Sequence, residues 1–202
     1  VHNHFDEVRK VDLKALTDVY HRINKGLWSE YGAGKIDRKI LHRRRFEETF
    51  TALGIEPELY KEAGNVYMNY YRNHWEWIEG AKQAFFRIGD QYKTGLITNG
   101  FAETQWMKID QFGFRDHVQH IVISEEVGIM KPKPGIFDHA TKLSGAERGD
   151  ILYIGDSYNS DILGGKTAGW QVAWFTKEGE LQQRETADFV FSDFSELLNQ
   201  LS

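Results

Sequence analysis

Three short stretches carry residues whose types and spacing could do chemistry. They are "LITNG" with Thr98, Asn99 and Gly100, "GIMKPKPGIF" with Lys131, and "YIGDSYNSDILGGKTAGW" with Asp156 and Asp161. A hydroxyl, a cation and two carboxylates brought together suit a phosphoryl group and a divalent cation. The Thr98 hydroxyl and neighbouring backbone N–H groups would hold phosphate oxygens. Lys131 would offset their charge, and Asp156 and Asp161 would hold Mg2+. Singly, each feature is ordinary: Thr-Asn-Gly makes a turn, Lys-Pro a loop, and an aspartate after a strand an N-cap. Their joint occurrence at the ends of successive strands is what makes a candidate site.

From residue 80 onward, helical and strand-like segments alternate. The pattern predicts a helix over 80–90, a strand over 95–98, a helix over 101–112 and a strand over 120–124. A helix over 134–143, a strand over 151–154, a helix over 160–168, strands over 171–175 and 188–191 and a final helix follow. The strands are apolar without alternation, as expected when helices cover both faces of a parallel sheet. The expected fold class is therefore α/β, a doubly wound, Rossmann-like parallel sheet over 76–202. In such sheets ligands bind beyond the carboxyl ends of the strands, where the three stretches fall.

Residues 1–75 read as helical throughout. Leu13, Leu16, Tyr20, Ile23 and Leu27 recur at three- and four-residue steps until Gly32 and Gly34. A second helix carries Ile40, Leu41, Phe46, Phe50 and Leu53 and stops at Gly54, and a third begins near Pro57. Tyr20, Asn24 and Trp28 share a helix face, a spacing that suits core packing first and substrate contact second. The "HRRRF" run at 42–46 is expected to be a solvated face. "GGKT" at 164–167 is not a phosphate-cradling P-loop, because Ser160 stands where that loop needs glycine. Gly164 and Gly165 are expected to let a helix pack closely on the sheet, and Gly169 to end that helix.

Composition bounds the reading. The 202 residues suffice for one sizeable domain with an appended subdomain, and 41% hydrophobic with 27% charged residues is ordinary for a globular chain. A net charge of −5 argues against a general nucleic-acid binder. No apolar run approaches the ~18 residues of a membrane helix, and no signal-peptide pattern is present. Zero cysteines exclude disulfides and cysteine-ligated metals and fit a cytoplasmic location. The eight histidines show no metal-ligand spacing.

The order of the three stretches resembles the haloacid dehalogenase-like (HAD) hydrolase superfamily. Thr98 matches its second motif, Lys131 its third, and Asp156 with Asp161 its fourth. "INKGLWSEYGAGKI" (23–36) is similar to the caps of the pyrimidine-nucleotidase-like branch, so residues 1–75 resemble a helical cap subdomain. The resemblance implies a Mg2+-dependent phosphatase acting on a small phosphomonoester, in the nucleotidase class, through an aspartyl-phosphate. It implies that Thr98, Asn99 and Gly100 hold the phosphoryl group beside Lys131. Asp156 would be the metal ligand with Asp161 behind it, and Tyr20, Asn24 and Trp28 would reach the substrate. The family's first motif, an apolar strand ending Asp-x-Asp-x-Thr, has no match: "NHFDEV" (3–8) offers Asp6, but Val8 stands where the second aspartate belongs. That segment reads as a loop entering the cap. The nucleophile strand and the first cap helix are expected to lie outside this sequence. A metal-free dehalogenase and a non-catalytic phosphate- or partner-binding remnant are the competing readings. The partner expected is a small phosphorylated metabolite, with no nucleic acid and no membrane, in a monomer or homodimer.

Overall fold

Asp12 and Asp37 each accept a hydrogen bond from the backbone three residues on, Ala15 N–H at 2.9 Å and Ile40 N–H at 2.8 Å. Each satisfies an otherwise orphaned N–H at a helix start. In this computed structural model, which describes residues 1–177 and 184–201, these caps open α2 (Leu13–Gly32) and α3 (Arg38–Ala52). They follow a short α1 (Asp6–Arg9). A 3-10 turn at Pro57–Leu59 leads into α4 (Tyr60–Asn73). These helices form one unit, Val1–Trp75, and Glu76–Ser202 forms a second. Residues 178–183 and 202, part of the span expected as the second domain, lie outside the described residues.

The first unit packs around Phe5, Val8, Leu16, Phe46, Phe50 and Ala63. Burying each large side chain of this kind stabilises by about 1.5–3 kcal/mol. The segment expected as a loop at 3–8 contributes instead to the helical turn α1, because Val8 is fully buried in this core. Asp6 is exposed and pairs with Arg9 at 3.1 Å. The "HRRRF" run is only partly solvated: Arg43 is exposed and Arg44 reaches Glu30 at 2.7 Å, but Arg45 is 5% exposed.

In the second unit the elements alternate. They are α5 (Ala81–Gly89), β1 (Gly95–Thr98), α6 (Ala102–Gln111), β2 (His120–Ile123), α7 (Ser124–Val127), α8 (Pro134–Ser144) and β3 (Leu152–Gly155). A π-helical turn at Tyr158–Ile162 precedes α9 (Leu163–Thr167), then β4 (Gln171–Phe175), β5 (Phe189–Phe191) and α10 (Phe194–Gln200). All strand pairs are parallel. Side chains of β3 alternate between two covered faces. Leu152 and Ile154 pack with Ile88 of α5 and Leu197 of α10, while Tyr153 packs with Phe137 and Trp170. Apolar groups are thus needed on both faces, which accounts for strands without alternation.

The strands form two sheets rather than one, β1–β2 and β3–β4–β5, and β1 does not pair with β3. Their unpaired edges border a cavity of about 640 Å³, lined by Leu96 and Ile97 of β1, Leu152 and Ile154 of β3, Ala84 of α5 and Ala140 of α8. The glycines of "GGKT" do pack closely: a Cβ at Gly164 would lie 2.6 Å from the Phe137 ring, and one at Gly165 2.6 Å from Val172. Lys166 is tied to Asp188 at 2.8 Å. No helix among the described residues is long and apolar enough to cross a membrane.

Candidate active site

Two of the stretches singled out in the second unit sit at strand ends, β1 and β3, and the Lys131 stretch follows α7, which comes after β2. Thr98 closes β1, and its hydroxyl donates to Gln105 Oε1 at 2.8 Å. The expected phosphate cradle draws on the backbone N–H groups of the next two residues. The Asn99 side chain clamps the Lys131 backbone, donating Nδ2–H to its carbonyl at 2.9 Å and accepting its N–H at 2.9 Å. The Gly100 N–H donates to Ser124 Oγ at 3.1 Å. Its glycine is required by close approach, since a Cβ there would meet Gln105 Nε2 at 2.4 Å. Asn99 therefore positions Lys131, and the Gly100 N–H is already committed.

Lys131 is held by three acceptors: Asp161 Oδ1 at 2.7 Å, Tyr153 Oη at 2.7 Å and the Ile97 carbonyl at 3.3 Å. An ammonium has three protons, so all are engaged, the Ile97 contact most weakly. The side chains of Lys131 and Asp161 are 10% and 5% exposed. Burial pulls the Lys131 ammonium down, but Tyr153 and Asp161 outweigh it and raise it above its ordinary value. Tyr153 is pushed up to about 12, chiefly by burial and against the pull of Lys131.

The chain reaches this geometry through Gly155 and the turn after it. A Cβ on Gly155 would lie 2.5 Å from Asp161 Cβ and 2.7 Å from its Oδ2, so only glycine lets Asp161 fold back on the strand end. The helix expected over 160–168 begins instead with the π turn. Its wide loop lets Ser157 O accept from both Asp161 N at 2.8 Å and Ile162 N at 3.3 Å. Asp161 Oδ2 accepts from Ser157 N–H at 3.0 Å. Asp161 thus faces Lys131.

Asp156 is exposed at the end of β3, with its carbonyl accepting from Trp174 Nε1 at 3.0 Å. Among the described residues no group of three potential metal ligands occurs. Asp161 is engaged by Lys131, so Asp156 is the carboxylate available at this edge. One carboxylate does not complete a Mg2+ site.

Tyr153, Gln105 and Ser124 escaped sequence reading. Only Tyr153 carried a signal, a polar-tipped aromatic ring inside an otherwise apolar strand. In the first unit, Tyr20 packs against Phe46 and Tyr67 at 5.5 and 5.7 Å between ring centres, and Trp28 lies edge-on to Tyr31 at 5.6 Å. Asn24 Oδ1 is buried there without a hydrogen-bond partner.

Comparison with known proteins shows the family. The profile described as haloacid dehalogenase-like hydrolase matches residues 3–169. The pyrimidine 5'-nucleotidase YjjG of Escherichia coli is 38% identical over 156 residues, covering 77% of this chain and 68% of that protein. A glyceraldehyde 3-phosphate phosphatase of Pyrococcus furiosus is 34% identical over 129 residues, covering 61% and 54%. In fold, the chain is similar to the magnesium-bound HAD-hydrolase YfnB of Bacillus subtilis, with a TM-score of 0.77 at 24% identity over 97% of this chain and 87% of that one. With a profile match over most of the chain on a Rossmann-like α/β unit, the chain belongs to the haloacid dehalogenase-like hydrolases.

Proposed function

We propose that this chain holds and neutralises the phosphoryl group in a Mg2+-dependent phosphatase acting on a small phosphomonoester, with nucleoside monophosphates as the favoured class. The observation that carries the reading is Lys131, a buried cation clamped at the carboxyl ends of β1 and β3 beside the cavity between their unpaired edges. Residues 1–75 act as the cap that chooses the substrate. The nucleotidase class rests on the similarity to the Escherichia coli nucleotidase.

In this reading the attacking aspartate arrives on a strand seated between β1 and β3. Its carboxylate oxygen bonds to phosphorus as the bond to the leaving alcohol breaks, and the alcohol oxygen takes a proton from a neighbouring acid. Water then attacks phosphorus, releasing inorganic phosphate and restoring the carboxylate. Thr98 turns its O–H from Gln105 to a phosphoryl oxygen, and Lys131 exchanges its weakest contact, the Ile97 carbonyl, for another. Asp156 would hold a bound Mg2+ as one of its ligands, and the ion would offset phosphoryl charge.

The test is phosphate release from UMP with Mg2+, by the chain alone and with a synthetic peptide carrying an apolar strand that ends Asp-x-Asp-x-Thr. Turnover is expected only with the peptide, and Lys131→Ala should lower it by at least ~100-fold. A peptide that binds without turnover would refute the reading in favour of a non-catalytic phosphate-binding protein. Full turnover in a folded Lys131→Ala variant would remove the lysine from it.

A further inference from the structure

Gln105 lies on the buried face of α6 with Thr104 and Ile109 and is 8% exposed. A leucine would fill such a position without the cost of burying an amide. The amide is instead aimed at the end of β1, where its Oε1 accepts the Thr98 hydroxyl at 2.8 Å. The helix fixes its backbone, since the Gln105 N–H donates to the Phe101 carbonyl at 3.0 Å. The side chain is pinned as well. A Cβ on Gly100 would stand 2.4 Å from Gln105 Nε2, 3.0 Å from Cδ and 3.1 Å from Cγ, so the outer part of the side chain lies against the Gly100 backbone.

In the phosphatase reading the Thr98 O–H turns to a phosphoryl oxygen. That turn removes the hydrogen from between Thr98 Oγ1 and Gln105 Oε1, leaving two acceptor oxygens 2.8 Å apart. Contact with Gly100 keeps the glutamine from retreating. Rotation about its last bond is not limited in the same way. A terminal amide has a broad, roughly two-fold torsion, and a half-turn exchanges its oxygen for its NH2 group with little change of shape. Nε2–H then donates to Thr98 Oγ1, whose own hydrogen is on the phosphoryl group. Glycine at position 100 leaves room for either end of the amide.

We propose that Gln105 is a positioning residue for phosphoryl binding. A reversible half-turn of its amide changes Thr98 from a donor to Gln105 into an acceptor from it, which frees the hydroxyl hydrogen for a phosphoryl oxygen. Gln105 acts through Thr98 and does not itself touch the phosphoryl group. One hydrogen bond received and one given then fix the Thr98 hydroxyl, and each polarises the other. The inference rests on the phosphatase reading for its ligand; the conflict of two facing oxygens follows from the Thr98–Gln105 distance alone.

The test is an NMR titration of the full chain, labelled with nitrogen-15 on its glutamine side chains, with inorganic phosphate. Binding is expected, with the Gln105 Nε2 protons shifting at saturation as one of them reaches Thr98 Oγ1. The same resonances should stay in place when Thr98→Val, which still has Lys131, is saturated. Gln105→Met should weaken phosphate binding by about 2–10-fold, the effect of one hydrogen bond. Added to Thr98→Val it should weaken binding no further, because Gln105 reaches phosphate only through the hydroxyl. A glutamine that merely fills the core would lower affinity by the same factor in both backgrounds. Should either variant fail to fold or to bind, the Gln105 resonances of wild type decide alone. The inference is overturned by absence of phosphate binding to wild type, by unmoved Gln105 resonances at saturation, or by equal effects of Gln105→Met with and without the Thr98 hydroxyl. The two readings separate cleanly. Phosphate release from UMP at unchanged kcat/KM in Gln105→Met sinks this inference alone, and phosphate binding coupled to Gln105 without any release from UMP sinks the phosphatase alone.

Discussion

Replacing Asp161 by asparagine tests the centre of the candidate site. The Lys131 ammonium keeps Tyr153 Oη at 2.7 Å and the Ile97 carbonyl at 3.3 Å, but loses its carboxylate. Removing one partner of a buried ion pair costs about 3–5 kcal/mol. The asparagine oxygen recovers a neutral hydrogen bond worth about 1 kcal/mol. The net loss expected is roughly 2–4 kcal/mol, a large share of a typical stability of about 5–15 kcal/mol. The pH dependence follows from the direction of the Lys131 shift. In wild type that ammonium is raised above 10.5, so its contribution is complete below that value and is lost as pH rises through the raised one. Tyr153, pushed up to about 12, adds to the same alkaline loss. Wild-type stability from these groups is therefore flat between pH 7 and pH 9. In Asp161→Asn, burial acts on Lys131 without the carboxylate and drives it below its ordinary value, so stability should rise with pH across that window. Urea unfolding followed by tryptophan fluorescence at pH 7, 8 and 9 measures both effects. The double variant Lys131→Met/Asp161→Leu should recover most of the loss, since neither charge remains to be desolvated. An Asp161→Asn protein as stable as wild type with the same pH slope would refute the reasoning. So would a double variant no better than the single one.

Gly155→Ala should be nearly as damaging without touching a charge. Its Cβ would stand 2.5 Å from Asp161 Cβ, so overpacking of about 1–3 kcal/mol adds to a weakened ion pair; thermal unfolding indistinguishable from wild type would contradict it. Asn99→Ala removes both hydrogen bonds that hold the Lys131 backbone and should cost about 1–3 kcal/mol. Native-state hydrogen exchange should show faster opening around residue 131, and unchanged protection there would count against the clamp. The chain alone should bind Mg2+ only at millimolar levels or weaker, because one available carboxylate leaves too few ligands for a strongly hydrated ion. Calorimetric micromolar binding that survives Asp156→Asn would show a different site.

The elements of the second unit were legible where one residue type dominates a short window. "GLIT" and "QVAWF" read as strands over 95–98 and 171–175, and the structure places them there. The helix after β3 was misread at its start. Hydrophobic spacing records which face is buried, but not that Asp161 must fold back over Gly155, which the wide turn at Tyr158–Ile162 allows. Tyr153 was hidden for a related reason, since a tyrosine in a strand counts as a good strand former whatever its hydroxyl does. Arg45 was lost in a run of charges that usually lies in solvent. Periodicity held the corrective: Leu41, Arg45 and Thr49 stand four residues apart, and all three are buried on one face of α3. Strand order is less accessible still. Each strand reports its own burial, whereas pairing depends on what lies on either side. The apolar edges of β1 and β3 look alike in sequence whether they meet each other or flank a third strand. Only their separation around a cavity of about 640 Å³ distinguishes the cases. The two strands whose ends carry Thr98 and Asp156 thus pair with β2 and β4 rather than with each other. Lys131 bridges them through the Ile97 carbonyl on one side and Tyr153 on the other, so the buried lysine that anchors the candidate chemistry also spans the gap between the sheets.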